Sequence, residues 1–215
     1  RTTKLLMASL VGTISLLAFL LQTILACTPE QPVLSIGDSE CQVTFGFLSA
    51  SHCDSSVVGL TTPTSGQTTY LSQVLTNFFE DPKINYSKHA YFFSSNVTCD
   101  QKYSWSIPDS QTLGPYSFAI RNLTKAGKSK FFLIADMDLT NNSQATQAAL
   151  HSLDFSQYDG FIHAGDYAYD IQDNNGTRGD AYFSSISNVI ATLPYVVVAG
   201  NHENYALSWL FNFRI

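Results

Sequence analysis

The spacing of apolar and polar residues divides the chain into two regions. Residues 41–125 carry short apolar runs separated by turn signals such as Asp81-Pro82, which predicts short strands and a small β-rich, sandwich-like unit. Residues 71–79 also place apolar side chains at helical spacing, so a short helix is an alternative there. From residue 131 onward, continuous apolar runs alternate with helix-forming segments, and this pattern predicts an α/β region.

The α/β region begins after a polar linker and follows a β-α-β-α-β order. Its first strand, Phe131–Ile134, is predicted to be buried, and further strands begin at Phe161 and Tyr195. Helices are predicted from 144 to 153, capped by Asn142 or Ser143, and over the apolar face from 183 to 193. Because the crossovers are right-handed, the three parallel strands should end at one edge of the sheet, where ligand sites of such sheets form.

Three polar residues come directly after these strands, namely Asp136, Asp166 and Asn201. We expect them to lie close together at the sheet edge. Two carboxylates and an amide oxygen suit hard cations, and a carboxylate between two ions can bridge them. Gly165 and Gly200 stand directly before two of these residues and allow the chain to approach a metal or a phosphate closely. The sequence therefore predicts a metal site.

Composition and charge narrow the class of protein. The 215 residues are 45% hydrophobic and 13% charged, which excludes a disordered tail. The formal net charge is −6, and no basic cluster of five or more residues occurs. Binding to nucleic acid by neutralising phosphates needs such clusters, so nucleic acid is not expected as a partner.

An apolar segment without charges runs from Leu5 to Pro29. It predicts a signal peptide or a membrane anchor at 1–26, with cleavage near Ala26 favoured, and a membrane is a partner only if the anchor stays uncleaved. The predicted domains are then a β-rich N-terminal domain at 27–125 and an α/β domain at 126–215. We expect a protein that is secreted or lysosomal or vacuolar, with a membrane-anchored form as the alternative.

Cysteines and glycosylation sequons agree with this secretory route. The four cysteines are not arranged as C-x-x-C pairs, so disulfides are expected, with all three pairings open and unpaired thiols as the alternative. Five N-x-[ST] sequons predict glycans on surface loops, at Asn85, Asn96, Asn122, Asn141 and Asn175.

The motifs at the predicted sheet edge resemble those of the calcineurin-like metallophosphoesterases, and among them the purple acid phosphatases. They are Asp136 in Ala-Asp-Met-Asp, Gly165–Tyr169 (Gly-Asp-Tyr-Ala-Tyr) and Gly200–Glu203 (Gly-Asn-His-Glu). The first motif departs from the family, which usually has Gly where this chain has Ala135 and Asp138. The resemblance covers about residues 116–215 and implies the N-terminal part of a metallophosphoesterase-type α/β domain.

The resemblance also implies roles for these residues. Asp136 and the Tyr169 phenolate would bind Fe(III), and Asp166 would bridge to a second, divalent ion of Zn, Mn or Fe. Asn201 would bind that second ion and the substrate. His202 would be the catalytic residue that faces the substrate and stabilises or protonates it. The implied enzyme is a hydrolase of phosphate monoesters, an acid phosphatase, while Asp138 is either a further ligand or an exposed loop acid.

The family completes its site with histidines in later V-x-x-H-like and G-H-x-H segments, which these 215 residues do not contain. The remaining histidines, at 52, 89, 151 and 163, do not replace them. His163 stands on the strand before Asp166, where we expect it to pack or to support a ligand and not to bind the metal itself. We therefore expect an incomplete fragment that is inactive and poorly stable alone. The alternatives are another calcineurin-like phosphodiesterase and a non-enzymatic secreted glycoprotein with a degenerate domain.

Overall fold

A computed structural model describes residues 27–53, 56–83, 85–108, 113–122, 124 and 127–203. The predicted signal peptide or anchor at 1–26 lies outside these ranges. Within the described part of the chain, none of the helices has the length and apolar character needed to cross a membrane.

The N-terminal region forms two four-stranded antiparallel sheets, with strand orders β1-β2-β6-β5 and β4-β3-β7-β8. The strands are β1 (Pro29–Ile36), β2 (Gln42–Ser49), β3 (Val57–Thr62), β4 (Gln67–Ser72), β5 (Leu75–Asp81), β6 (Tyr86–Asn96), β7 (Lys102–Ser106) and β8 (Tyr116–Ala119). The β-rich prediction is confirmed. The alternative of a helix at residues 71–79 is wrong, because β5 pairs along its whole length with β6.

The two sheets share one aromatic core. Phe45 of β2 lies with its ring centroid 5.0 Å from that of Trp105 and 5.6 Å from that of Phe118, both on the second sheet. Two disulfides, Cys27–Cys53 and Cys41–Cys99, settle the pairing that the sequence left open. The aromatic core holds the two sheets together as a sandwich, and both disulfides join chain segments at the ends of first-sheet strands.

The C-terminal region forms a three-stranded parallel sheet in the order β11-β10-β9. Its elements are β9 (Phe131–Ile134), a 3-10 helix (Asn141–Ser143), α1 (Gln144–Ser152), a 3-10 helix (Phe155–Gln157), β10 (Gly160–Ala164), α2 (Thr177–Ser185), α3 (Ser187–Ile190), β11 (Tyr195–Val198) and a 3-10 helix (Asn201–Glu203). The predicted β-α-β-α-β order and the parallel sheet are confirmed.

Two details of the helices differ from the prediction. The expected helix over 183–193 is two shorter helices, because Ile186 turns the backbone out of helical geometry (φ −102°, ψ 7°) while its side chain is fully buried. Ser143 does stand at the N-cap of α1, but its hydroxyl makes no cap hydrogen bond. That hydroxyl instead accepts from the Asp138 backbone N–H at 3.0 Å.

The parallel sheet is covered on one face. Phe132, Phe161 and Tyr195 point to the core shared with the helices. Leu133 and Val198 point the other way and are 63% and 57% exposed. The prediction of a buried strand at Phe131–Ile134 is therefore wrong for one face, since the described helices pack on the opposite side.

The sandwich packs against the α/β region through polar as well as apolar contacts. Asp180 of α2 accepts a hydrogen bond from the Tyr86 hydroxyl at 2.7 Å and lies 3.2 Å from the Lys88 ammonium. The buried Trp105 indole N–H donates to the Ala191 carbonyl at 2.8 Å. Because these partners are distant in sequence, the contacts fix the α2 and α3 helices against the sandwich.

Four of the five sequon asparagines, at 85, 96, 141 and 175, are exposed and fit the predicted glycosylation. Asn122 differs, because it is only 6% exposed. Its side-chain oxygen also accepts from the Thr124 hydroxyl of the same sequon at 2.6 Å. Asn122 is therefore not at the surface of the folded chain, and its glycosylation stays a prediction.

Candidate metal-binding and active site

The three strand ends of the parallel sheet bring their loops together. The Asp136 backbone N–H donates to the Gly165 carbonyl at 3.1 Å, which joins the first loop to the second. The His202 backbone N–H donates to Asp166 Oδ1 at 3.1 Å, which joins the third loop to the second. The structure thus places these residues at one edge, and their roles as ligands stay predictions.

The loops at this edge have an unusual backbone. Left-handed φ values occur at Asp136 (54°), Asp166 (52°), Ala168 (58°), Tyr169 (46°) and Asp170 (76°). A non-glycine residue with positive φ costs free energy, and such residues concentrate at functional sites. The sheet edge is therefore the best candidate for a functional site within the described residues.

Gly165 and Gly200 allow the second and third loops to touch. A Cβ on Gly165, where φ is 85°, would lie 2.7 Å from the Cα of Gly200. A Cβ on Gly200 would overlap Asp166 Oδ1. The sequence predicted that these glycines let the chain approach a metal or a phosphate closely. In the structure, they let two loops approach each other closely.

The Tyr169 phenol interacts electrostatically with the carboxylates of Asp136 and Asp166. Partial burial and then the Asp136 and Asp166 carboxylates raise the pKa of the Tyr169 phenol, and Asp136 also accepts its hydrogen bond. The ring of Tyr169 lies 4.9 Å from that of His202. The oxygens of Tyr169, Asp136 and Asp166 therefore form an electronegative cluster, which a bound cation would stabilise.

His202 has a partner that the sequence analysis missed. Its Nδ1 lies 3.1 Å from Asp170 Oδ1, and this hydrogen bond is the main reason that the pKa of His202 is raised above its ordinary value. The raised pKa keeps the imidazole protonated and positively charged in mildly acidic solution. Asp170 directly follows the Gly165–Tyr169 motif, but nothing in that motif shows that it contacts His202.

Glu203 is the second residue that the sequence analysis missed. It is fully buried, and its carboxylate accepts from the backbone N–H groups of Asp166 (2.8 Å), Tyr167 (2.9 Å) and Gly200 (2.7 Å). Hydrogen bonds to an ionised acceptor are about twice as strong as neutral ones. Glu203 therefore holds the second and third loops in register, and its place at the end of the Gly-Asn-His-Glu motif was the available signal.

Asp138 is not the exposed loop acid that one prediction offered. It is 8% exposed, and its Oδ1 accepts from both the backbone N–H and the hydroxyl of Thr140 at 2.8 Å. Burial by itself raises the pKa of Asp138, but the hydrogen bonds from Thr140 and Ser143 and the nearby Arg178 guanidinium lower it below the ordinary value. Asp138 stabilises the loop after β9.

The residues at this edge fit part of a site for a hard cation. The carboxylates of Asp136 and Asp166 and the phenol of Tyr169 are the oxygen donors that such cations prefer. In the described part of the chain, no group of three or more His, Cys, Asp and Glu side chains is placed to hold a metal ion. The predicted ligands include Tyr169 and Asn201, which are outside that set of residue types.

His163 lies in the core next to the second loop, with its ring centroid 4.3 Å from that of Tyr167. It is fully buried, with Nδ1 3.0 Å from the Tyr195 hydroxyl and both ring nitrogens 3.4 Å from the Tyr182 hydroxyl. The prediction that it packs rather than ligates a metal agrees with this position. Burial lowers the pKa of His163 to about 3.

We expect His163 to make the fold sensitive to acid. In the unfolded chain a histidine takes up its proton near pH 6.5, whereas folded His163 stays neutral down to about pH 3. The unfolded state therefore binds more protons below pH 6.5, so stability is full above that pH and falls toward pH 3. At pH 5 the loss is about 2 kcal/mol, from about 1.4 kcal/mol per pH unit.

Urea unfolding at pH 7.5 and pH 5.0 measures this effect. His163→Asn should flatten the change in the free energy of unfolding between the two pH values, whereas His151→Asn, at an exposed histidine, should not. An equal pH dependence in the His163→Asn variant and the parent would contradict the assignment.

Segments of the chain are similar in sequence to known acid phosphatases. No family model matches the chain. Similar segments occur in acid phosphatase type 7 of Danio rerio (35% identity over 83 residues, 39% of this chain and 17% of the relative). They also occur in that of Homo sapiens (35% over 63 residues, 29% and 14%) and that of Mus musculus (41% over 46 residues, 21% and 10%). The matched segment spans 17% or less of the length of each relative.

A solved structure of purple acid phosphatase from yellow lupin (Lupinus luteus) seeds has a similar fold. It superposes with a TM-score of 0.63 over 82% of this chain and 36% of that protein, at 17% sequence identity. Because the sequence identity is this low, the similarity shows the fold alone. The chain is therefore partly homologous to acid phosphatase type 7, and its two antiparallel sheets followed by a parallel sheet with helices match the N-terminal and catalytic regions of a purple acid phosphatase.

Proposed function

We propose that the protein hydrolyses phosphate monoesters at a dinuclear metal centre, as an acid phosphatase. The observation that carries the proposal is the meeting of Asp136, Asp166 and Tyr169 at one sheet edge, in loops with a strained backbone. Homology to acid phosphatases supports the same reaction class. The matched segment is a small part of each relative, so we propose the activity of the whole protein and do not take it from them.

The proposed metals are Fe(III) and a divalent ion of Zn, Mn or Fe. Asp136 and Tyr169 would hold the ferric ion, Asp166 would lie between the two ions, and Asn201 would hold the divalent ion through its amide oxygen. Such a pair of ions supplies Lewis acidity toward phosphoryl oxygens and activates water. Glu203 contributes indirectly, because it holds the Asp166 backbone in place.

His202 is the proposed catalytic residue. Its hydrogen bond to Asp170 keeps the imidazole protonated in mildly acidic solution, where an acid phosphatase works. A protonated imidazole stabilises charge on a phosphate and gives a proton to the leaving oxygen. The Asp170 carboxylate would orient the ring and retain the proton on Nδ1, so that the other ring nitrogen faces the substrate.

We also propose a secreted or lysosomal or vacuolar protein, with a signal peptide or anchor at 1–26 and domains at 27–125 and 126–215. The two disulfides are consistent with the secretory pathway, because such bonds persist in oxidising compartments. Exposed sequon asparagines support glycosylation at positions 85, 96, 141 and 175.

The test is a phosphatase assay on the protein secreted from eukaryotic cells, expressed from its longest reading frame. We expect release of phosphate from p-nitrophenyl phosphate at pH 5 and bound iron with a visible absorption band. Asp166→Asn should abolish both the activity and the binding of iron, and Asp173→Asn, at an exposed acid in the same loop, should retain both. Tyr169→Phe should lose the band, since the phenolate gives rise to it.

Other outcomes would select the alternatives. A folded protein without bound metal and without activity would favour the non-enzymatic glycoprotein. Hydrolysis of phosphodiesters in preference to monoesters would favour another calcineurin-like phosphodiesterase. The 215-residue chain on its own is expected to be inactive, and strong metal-dependent activity from it would overturn that expectation.

A further inference from the structure

Two histidines of the sandwich lie side by side, apart from the three loops of the candidate site. His89 is on β6, which pairs with β2 on one side and β5 on the other. His52 follows β2 and directly precedes Cys53. Their ring centroids are 5.2 Å apart, with the ring planes at 63°. His52 is exposed and His89 is half-buried, so the pair is accessible from solvent.

We propose that His52 and His89 together bind a borderline divalent transition-metal ion of the Zn²⁺ or Cu²⁺ class. Imidazole nitrogens bind such an ion at about 2.0–2.1 Å with tetrahedral angles, which puts the centroids of two ligating rings about 5 Å apart. The observed separation of the two ring centroids, 5.2 Å, matches this value. Water would complete the coordination.

Both rings are held in place by rigid neighbours. Cys53 is fixed by its disulfide to Cys27, and its backbone N–H donates to the Tyr91 hydroxyl at 2.6 Å. The same hydroxyl lies 3.4 Å from His52 Nδ1. If Nδ1 donates its proton to Tyr91, Nε2 carries the lone pair that a metal ion requires. Ligating histidines are commonly oriented in this way through their second ring nitrogen.

The second ring is supported by its own strand and by an aromatic neighbour. The Phe78 ring on β5 lies 4.7 Å from the His89 ring, centroid to centroid. These contacts hold the His89 ring beside the His52 ring.

Titration of the secreted protein with Zn²⁺ alone, followed by calorimetry, tests the proposal. His52→Ala and His89→Ala should each weaken one binding event at least about tenfold, since even the loss of a group that only orients a ligand costs 10- to 100-fold. His151→Ala, at an exposed histidine on α1, should leave that event unchanged. Asp166→Asn should also leave it unchanged, which separates this site from the proposed phosphatase centre.

A chemical readout covers the case in which a variant folds poorly. Zn²⁺ should slow the modification of His52 and His89 by diethyl pyrocarbonate in the parent protein, as mapped by mass spectrometry, and should not slow that of His151. Equal Zn²⁺ titrations in the parent and the His52→Ala variant, or equal modification rates with and without Zn²⁺, would overturn the proposal.

Discussion

Removing the Cys41–Cys99 disulfide, in the variant Cys41→Ser/Cys99→Ser, should lower the free energy of unfolding by about 4 kcal/mol. The bridge joins residues 58 positions apart, and the entropy of closing a loop of that length in the unfolded chain gives this value. It also joins the start of β2 to the end of its neighbour β6, where the Val97 N–H donates to the Cys41 carbonyl at 3.0 Å. The loss should therefore loosen the central strand pair of the first sheet.

Denaturant unfolding of the variant and of the parent measures this loss, and unfolding of the parent in reductant measures the loss of both bridges together. The matched variant Cys27→Ser/Cys53→Ser opens a shorter loop of 26 positions and should cost somewhat less, about 3.5 kcal/mol. If reductant left the unfolding midpoint of the parent unchanged, the assigned pairing would not stabilise the fold. Mapping the linked peptides by mass spectrometry identifies the two pairs independently.

The architecture of the α/β region was predictable because its signals are local or follow from general rules of connection. The apolar runs at Phe131–Ile134 and Tyr195–Val198 define strands, and right-handed crossovers then place their ends at one edge. The convergence of Asp136 and Asp166 followed from topology alone. The exposure of Leu133 was not predictable, because an apolar run does not show whether helices cover one face of a sheet or both.

The contacts inside the site were harder to predict, since they join residues far apart in sequence. Glu203 binds backbone groups of Asp166 and Tyr167, 37 and 36 positions earlier, and no local pattern shows a buried carboxylate whose partners are backbone N–H groups. The hydrogen bond of His202 to Asp170 also depends on the third loop folding over the second. The cysteine pairing stayed open for the same reason.

Gly165→Ala should destabilise the protein by about 3 kcal/mol and pull the candidate site apart. Two costs combine at this position. The backbone φ is 85°, which a residue with a Cβ adopts only with strain, and the added Cβ would lie 2.7 Å from Gly200 Cα. Because a backbone atom cannot rotate away as a flexible side chain can, the third loop must move away from Asp166. Under the proposed function, phosphatase activity should fall together with stability.

Two further glycines separate these costs. Gly66 has φ 66° and no atom within 4 Å of an added Cβ, so Gly66→Ala should show the backbone strain alone, about 1 kcal/mol. An added Cβ on Gly200 would meet Asp166 Oδ1 and, at 2.6 Å, the Asp166 backbone nitrogen, so Gly200→Ala should show the crowding, about 2 kcal/mol. Urea midpoints of the three variants give the ranking. If Gly165→Ala were no more destabilising than Gly66→Ala, the two loops would not be in the contact described, and the candidate site would lose the geometry on which the proposed function depends.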